Sequence, residues 1–342
     1  MFKTGKNPFR VPVTGPDTAL RSARRFFARV RTRLQKGTNR IQETVRRKAH
    51  RSGACWDRMN QDNSGDVLYW LAVPMLAHEV NRRVTGAPLT WPLAGFVESI
   101  KEHLPVRRAL SLGCGTGNLE REVAKAQCAL QIEGVDVGAA SIKKACELAA
   151  EEGFENVIRY HCADAAEWLR RQKGKEPFDV IFFHGSLHHI EELEEVLDLC
   201  ALCLRGGSPG LLYVDEYVGP SRNEWRSWHV AYANGLFGRV PEEHRRLPEV
   251  TPPIVWEDPT EMIRSSEIVP LIEGHLEVVS YRPYFGNVLF PLVAAIKGSS
   301  LDSPEVLEVL REGVTLENFL AEHRLIDTMY AVTVARPKDG DN

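Results

Sequence analysis

The 342-residue chain lacks any apolar run of membrane-spanning length, and its longest such stretch, Val288–Ile296, is interrupted by Pro291. A helix crossing a bilayer needs about 20 apolar residues, so none is expected. No apolar core of a secretory leader stands near the start, which makes a cytoplasmic protein the expectation. Cysteine is sparse: seven, an odd number, scattered through the chain. That argues against a disulfide framework and for reduced thiols. Cys200 and Cys203 form a C-x-x-C, but no second pair or histidine partner follows at zinc spacing. At i and i+3 on an apolar helical face they read as core, and no metal-ligand set is expected anywhere. The phosphate-cradling G-x-x-x-x-G-K-[ST] is absent, as are internal repeats and low-complexity tracts.

Charge is unevenly placed. Residues 1–51 carry 15 Lys or Arg against Asp17 and Glu43, a balance of +13, which leaves −16 for the rest. Leu20, Phe26, Phe27, Val30 and Leu34 form a loose helical stripe within this basic arm. A solvated tail, an amphipathic helix on anionic lipid (residues 18–51) and a nucleic-acid contact all fit such a segment, lipid ahead of nucleic acid because the apolar residues share one face.

What the chain does contain is a strand, glycine turn and helix over Ala109–Glu122 (ALSLGCGTGNLERE). Glycine permits positive φ and removes the Cβ that would hold a ligand away from the loop. In open α/β sheets such a turn ends a parallel strand at the ligand crevice. The spacing is G-x-G-x-G, with Asn118 where the third dinucleotide glycine would stand. A second apolar strand closes at Asp136. Three more segments read as strands: Arg159–Ala165, Phe178–His189 and Gly210–Tyr217. Leu276–Phe285 and Thr328–Arg336 follow as two late strands.

This set of segments, in this order, resembles the class I S-adenosylmethionine-dependent methyltransferases. The resemblance implies an α/β, Rossmann-like, doubly wound seven-stranded sheet, mostly parallel with a late antiparallel strand. It also implies a cofactor, S-adenosylmethionine, held by Ser111, Gly113, Cys114, Gly115, Gly117, Asp136, Val137, Asp164, Ala165 and His184. Asp136 would accept the ribose hydroxyls, and Asp164 would lie near the adenine amino group. Many members carry an acid two residues before the first glycine; Ser111 stands there instead, a hydroxyl able to bond the cofactor's ammonium. HEVNRRVTG (78–86), DEYVGPSRNEW (215–225), MIRSSEIVPLI (262–272) and YRPYFGNVLF (281–290) resemble a subgroup of bacterial methyltransferases often found beside glycan and secondary-metabolite enzymes.

The expected organisation is a basic arm over residues 1–52, a helical cap over 53–105, the cofactor-binding core over 106–218, a lid over 219–275 and a sheet-closing part over 276–342. Loops of the lid's length after a strand end usually carry function. Methyl transfer mainly requires aligning nucleophile, methyl and sulfur and, for a hydroxyl, removing a proton. The ends of strands four and five offer His188 as the substrate-side histidine, with His189 packed away, and Glu216 beside it. Tyr217, Arg222, Arg82 and Arg83 are candidate substrate contacts. The Asn-Pro-Pro-Tyr and Asp-Pro-Pro-Tyr tetrapeptides of nucleic-acid amino methyltransferases are missing, as is the Pro-Cys pair of pyrimidine carbon methylation. Metal-free methylation of a small molecule, a glycan or secondary metabolite at a hydroxyl, is the expectation. A nucleic-acid methyltransferase recruited by the arm and a non-catalytic cofactor-binding module are the alternatives.

Overall fold

Seven strands whose apolar residues alternate or run continuously make one sheet. They are β1 (Val106–Leu112), β2 (Ala129–Asp136), β3 (Ile158–Cys162), β4 (Val180–His184), β5 (Leu211–Tyr217), β6 (Leu276–Phe285) and β7 (Tyr330–Pro337). The computed structural model describes Lys48, residues 51–55, Asp57 and residues 70–338; most of the basic arm lies outside them. The strand order is 3-2-1-4-5-7-6. β1 to β5 are parallel, and β7 enters antiparallel between β5 and β6. The seven-stranded sheet expected from sequence is therefore present, late antiparallel strand included.

Strand β4 is buried on both faces, as a central strand covered on two sides must be. One covering layer contains α1 (Pro74–Thr85), α2 (Pro92–Ser99), α3 (Asn118–Lys125) and α4 (Ala139–Glu151). The other contains α5 (Ala165–Gln172) and α6 (Leu193–Leu204). Cys200 and Cys203 are buried in α6, and burial pushes both thiols up, consistent with packing rather than reactivity.

Between β5 and β6 the chain makes a long insertion with one short helix, α7 (Ala231–Phe237), before α8 (Ile268–His275). Helix α8 buries Ile268 and Ile272 beside α6 in the second covering layer. The segment free to act as a lid thus stops near residue 267, not 275. Helices α9 (Leu289–Ala294) and α10 (Pro304–Glu322) complete the first layer. Among the described residues no helix is long and apolar enough to cross a membrane.

Candidate functional site

The parallel order reverses between β1 and β4, and a cavity of about 330 Å³ opens there, at the carboxyl ends of the strands. Gly113, Cys114, Gly115 and Thr116 form its floor, Asp136 and Val137 one wall, and Asp164 and Ala165 a second. His184, Ser186 and His189 from the end of β4 face them, with Thr260 from the insertion. Gly115 has φ +52°, and a Cβ there would point into open space, so the loop presents bare backbone to the cavity. Gly113 (φ +70°) is glycine for another reason: a Cβ would lie 2.4 Å from that of Ser186.

Asp136 is tied into this floor. Its Oδ2 accepts from Gly115 N–H at 2.9 Å and its Oδ1 from Gly138 N–H at 2.7 Å. Burial pushes its pKa up, while those two donors work in the opposite direction. Asp164 caps α5, accepting from Glu167 N–H at 2.9 Å. Cys114 is held as a neutral thiol by burial beside Glu120 and Asp136. Ser111 is buried one layer behind the loop, as is Glu120.

Glu120 is an acid that sequence reasoning passed over. It sits in the first turn of α3, and desolvation lifts its pKa to about 7 against the opposing effects of Ser111, its own backbone and His184. A carboxyl raised in the folded state contributes stability fully present below its unfolded value. That contribution is lost as pH rises through about 7. In cofactor-free protein, Glu120→Gln is expected to flatten the pH dependence and to stabilise the fold at pH 8 by roughly 3 kcal/mol. Urea titrations at acidic and alkaline pH check this; a variant less stable than the parent at pH 8 would refute it.

The family model of a methyltransferase domain matches residues 106–259, the segment that builds this cavity. Residues 106–259 are a methyltransferase domain. A ubiquinone biosynthesis O-methyltransferase of Idiomarina loihiensis is 28% identical over 200 residues, covering 57% of this chain and 74% of that protein. A trans-aconitate 2-methyltransferase of Klebsiella pneumoniae is 27% identical over 215 residues, covering 59% and 78%. A solved geranyl diphosphate C-methyltransferase from Streptomyces coelicolor aligns with TM-score 0.44 at 15% identity, over 72% of this chain and 76% of that one.

In this methyltransferase the structure redistributes the residues expected to serve the acceptor. His188 is half-buried and does not border the cavity; its Nδ1 lies 2.5 Å from Glu216 Oε1. Burial alone would lower its pKa, but Glu216, with Glu261 and Asp258 beyond, lifts it to about 9. His189 is the one of the pair that lines the cavity, although the two rings of the 3-10 turn Leu187–His189 lie only 4.1 Å apart between centroids. Its Nδ1 is 3.3 Å from Asp258 Oδ2 and 3.2 Å from Thr260 Oγ1.

Glu216 is wholly buried and accepts from Ser186 N–H at 2.8 Å, Leu187 N–H at 2.6 Å and Tyr217 N–H at 2.7 Å. Burial would raise its pKa, yet His188 and these donors bring it below the usual value. It organises the turn and does not reach the cavity. Tyr217 donates to Pro220 O at 2.9 Å, fixing the start of the insertion. Arg222 donates to Asp258 O at 2.9 Å and lies over the Trp256 ring, so it braces the insertion.

Arg82 and Arg83 are not near the cavity. Arg83 is buried against Glu317, Asn318 and Tyr284 O, joining α1 to α10 and β6, and Arg82 pairs with Glu79 of its own helix. Both are committed to partners on the far side of α1.

Residues missed from sequence come from distant segments. Ser52 and Gly53 line the cavity, and Ser52 donates to Asp258 Oδ2 at 2.8 Å. Asp57 accepts from the Ala140 and Ser141 N–H groups at the start of α4 (3.1 and 2.8 Å), and Lys48 pairs with Glu191 at 2.8 Å. Residues from Lys48 onward therefore pack with the core, four residues short of the expected arm boundary at 52. Deleting residues 1–47 is expected to preserve binding of S-adenosylhomocysteine, whereas deleting 1–57 should weaken it at least tenfold in calorimetry by removing one cavity wall. Equal affinities would show that this wall carries no binding energy.

Proposed function

We propose that this methyltransferase transfers the methyl of S-adenosylmethionine to a hydroxyl of a small molecule bound against His189, Ser186 and Thr260. The observation that carries the reading is this polar wall, set opposite the glycine floor and held in place by Asp258 and Glu216. The cavity suits the cofactor: bare backbone at Gly115 admits it closely, the Asp136 carboxylate serves its ribose, and Asp164 with Ala165 bounds the adenine end. Gly113, Cys114, Val137 and His184 complete that half, while Ser111 lies buried behind the loop and Gly117 packs against Tyr160. When bound, the cofactor supplies a methyl on a positively charged sulfur, already a good leaving group.

The chain's own work is alignment, water exclusion and proton removal. His189 and Thr260 orient the acceptor oxygen, while His188 and Glu216 act as positioning residues that hold the turn. Among the relatives, an O-methyltransferase and a trans-aconitate methyltransferase are both named for small-molecule chemistry, which supports an acceptor of that size.

Radiolabelled methyl transfer to a panel of phenols, alcohols, amines and carboxylates tests the acceptor class. His189→Ala is expected to lower kcat/KM at least 100-fold on the acceptor and to change cofactor affinity less than threefold. Turnover confined to amines would sink the hydroxyl assignment. We assign the basic arm, whose residues 1–47 lie outside the described ones, to contact with anionic membrane. Full-length protein should sediment with phosphatidylserine vesicles at low salt, and protein lacking residues 1–47 should not. Tighter binding to RNA than to vesicles would favour the nucleic-acid alternative.

A further inference from the structure

We infer that His188, His189 and Glu261 form a binding site for one divalent transition metal of the zinc class, in the wall of the cavity behind His189. A ligand nitrogen or oxygen from each of the three lies within 4.8 Å of the others. Glu261 Oε2 stands 3.8 Å from His189 Nε2 and 4.0 Å from His188 Nε2. Those spacings are too long for hydrogen bonds. They are close to the roughly 3.4 Å separating donors around a tetrahedral ion with metal–ligand bonds of about 2.1 Å.

Two independent observations point to a cation at the centre of this triangle. Glu261 is 5% exposed, and among the described residues its Oε2 has no hydrogen-bond partner. A buried carboxylate oxygen left so is costly unless a cation meets it. Each imidazole is also held from behind at Nδ1. Glu216 holds His188 at 2.5 Å, and Asp258 and Thr260 hold His189 at 3.3 and 3.2 Å. A carboxylate on Nδ1 keeps the proton there, so an ion that displaces the Nε2 proton of the His188 imidazolium meets a lone pair aimed at it, the usual support for ligating histidines. Asp258 is itself fixed by Ser52 and by Thr260 N–H. Two imidazoles and one carboxylate favour zinc-class ions over magnesium, which prefers oxygen donors and keeps its waters.

With three protein ligands, a fourth position remains for the oxygen of an acceptor hydroxyl, whose proton the ion would acidify. In that state His189 serves as a ligand rather than as a contact to the acceptor. This role, unlike the binding itself, rests on the hydroxyl reading above.

Calorimetry of chelator-treated, full-length protein with zinc chloride and with magnesium chloride tests the site. Wild type is expected to bind one zinc at least 100-fold more tightly than magnesium. Glu261→Gln and His189→Ala should each lose at least 100-fold in zinc affinity, while His323→Ala, on an exposed helix end, should lose none. Binding of S-adenosylhomocysteine by Glu261→Gln establishes that this variant is folded. Should either variant fail to fold, cobalt added to wild type must still give visible absorption that stoichiometric zinc abolishes. Absence of one-site zinc binding in wild type, or zinc affinity unchanged in both variants, overturns the proposal. Zinc binding without methylation of any hydroxyl would leave the site standing and refute only the acceptor reading.

Discussion

Glu216→Ala is expected to destabilise the protein by about 3–5 kcal/mol, the usual cost of removing one partner from a buried charged network. Four donors converge on this carboxylate: Ser186, Leu187 and Tyr217 through their backbone N–H groups, and His188 through Nδ1. Alanine leaves three N–H groups and one ring nitrogen buried without an acceptor. Glu216→Gln should fall between, since it keeps the volume but turns an amide donor toward other donors. Urea denaturation followed by circular dichroism measures the loss. A change below about 1 kcal/mol would mean that the turn after β4 is held by other contacts.

The second large effect falls on the cofactor. Asp136→Ala should weaken S-adenosylhomocysteine by about 1.5–3 kcal/mol, the range for hydrogen bonds to a charged group. It should also lower thermal stability, because the same carboxylate anchors Gly115 and Gly138. Gly115→Val should abolish cofactor binding with the fold retained, because the added side chain projects into the cavity from a backbone at φ +52°. Gly113→Ala should do the reverse and damage the fold itself, since the new methyl meets Ser186. Calorimetry and melting curves on the three variants separate these outcomes. Normal cofactor affinity in Asp136→Ala would remove the ribose assignment.

Local pattern made the glycine floor and the strand ends readable. Positive φ at the loop needs glycine, a buried parallel strand needs a continuous apolar run, and the acid at a strand end falls at a set distance from the turn. Six of the strands could be placed within a few residues from such signals, and Asp136, Asp164 and His184, expected from the resemblance to the family, line the cavity. The choice between His188 and His189 could not be read the same way. The two rings lie 4.1 Å apart, so the difference comes from their partners: Glu216, 28 residues away, holds His188, while Asp258 and Thr260 hold His189 at the cavity.

From its sequence alone this chain is determined to be a seven-stranded α/β sheet with a glycine turn after β1, and the order of those segments carries its resemblance to the methyltransferases. The strands and the turn follow from hydrophobic period and glycine spacing, both carried by neighbours along the chain. Tertiary structure alone decided the acceptor side. Asp258, Thr260 and Glu261 meet the turn after β4 from about 70 residues away, and Ser52 reaches it through Asp258. It also decided that Arg83 belongs to α10 and that Glu216 is structural. Burial and pairing across such separations depend on how the insertion folds back over the sheet, and no local periodicity encodes that path.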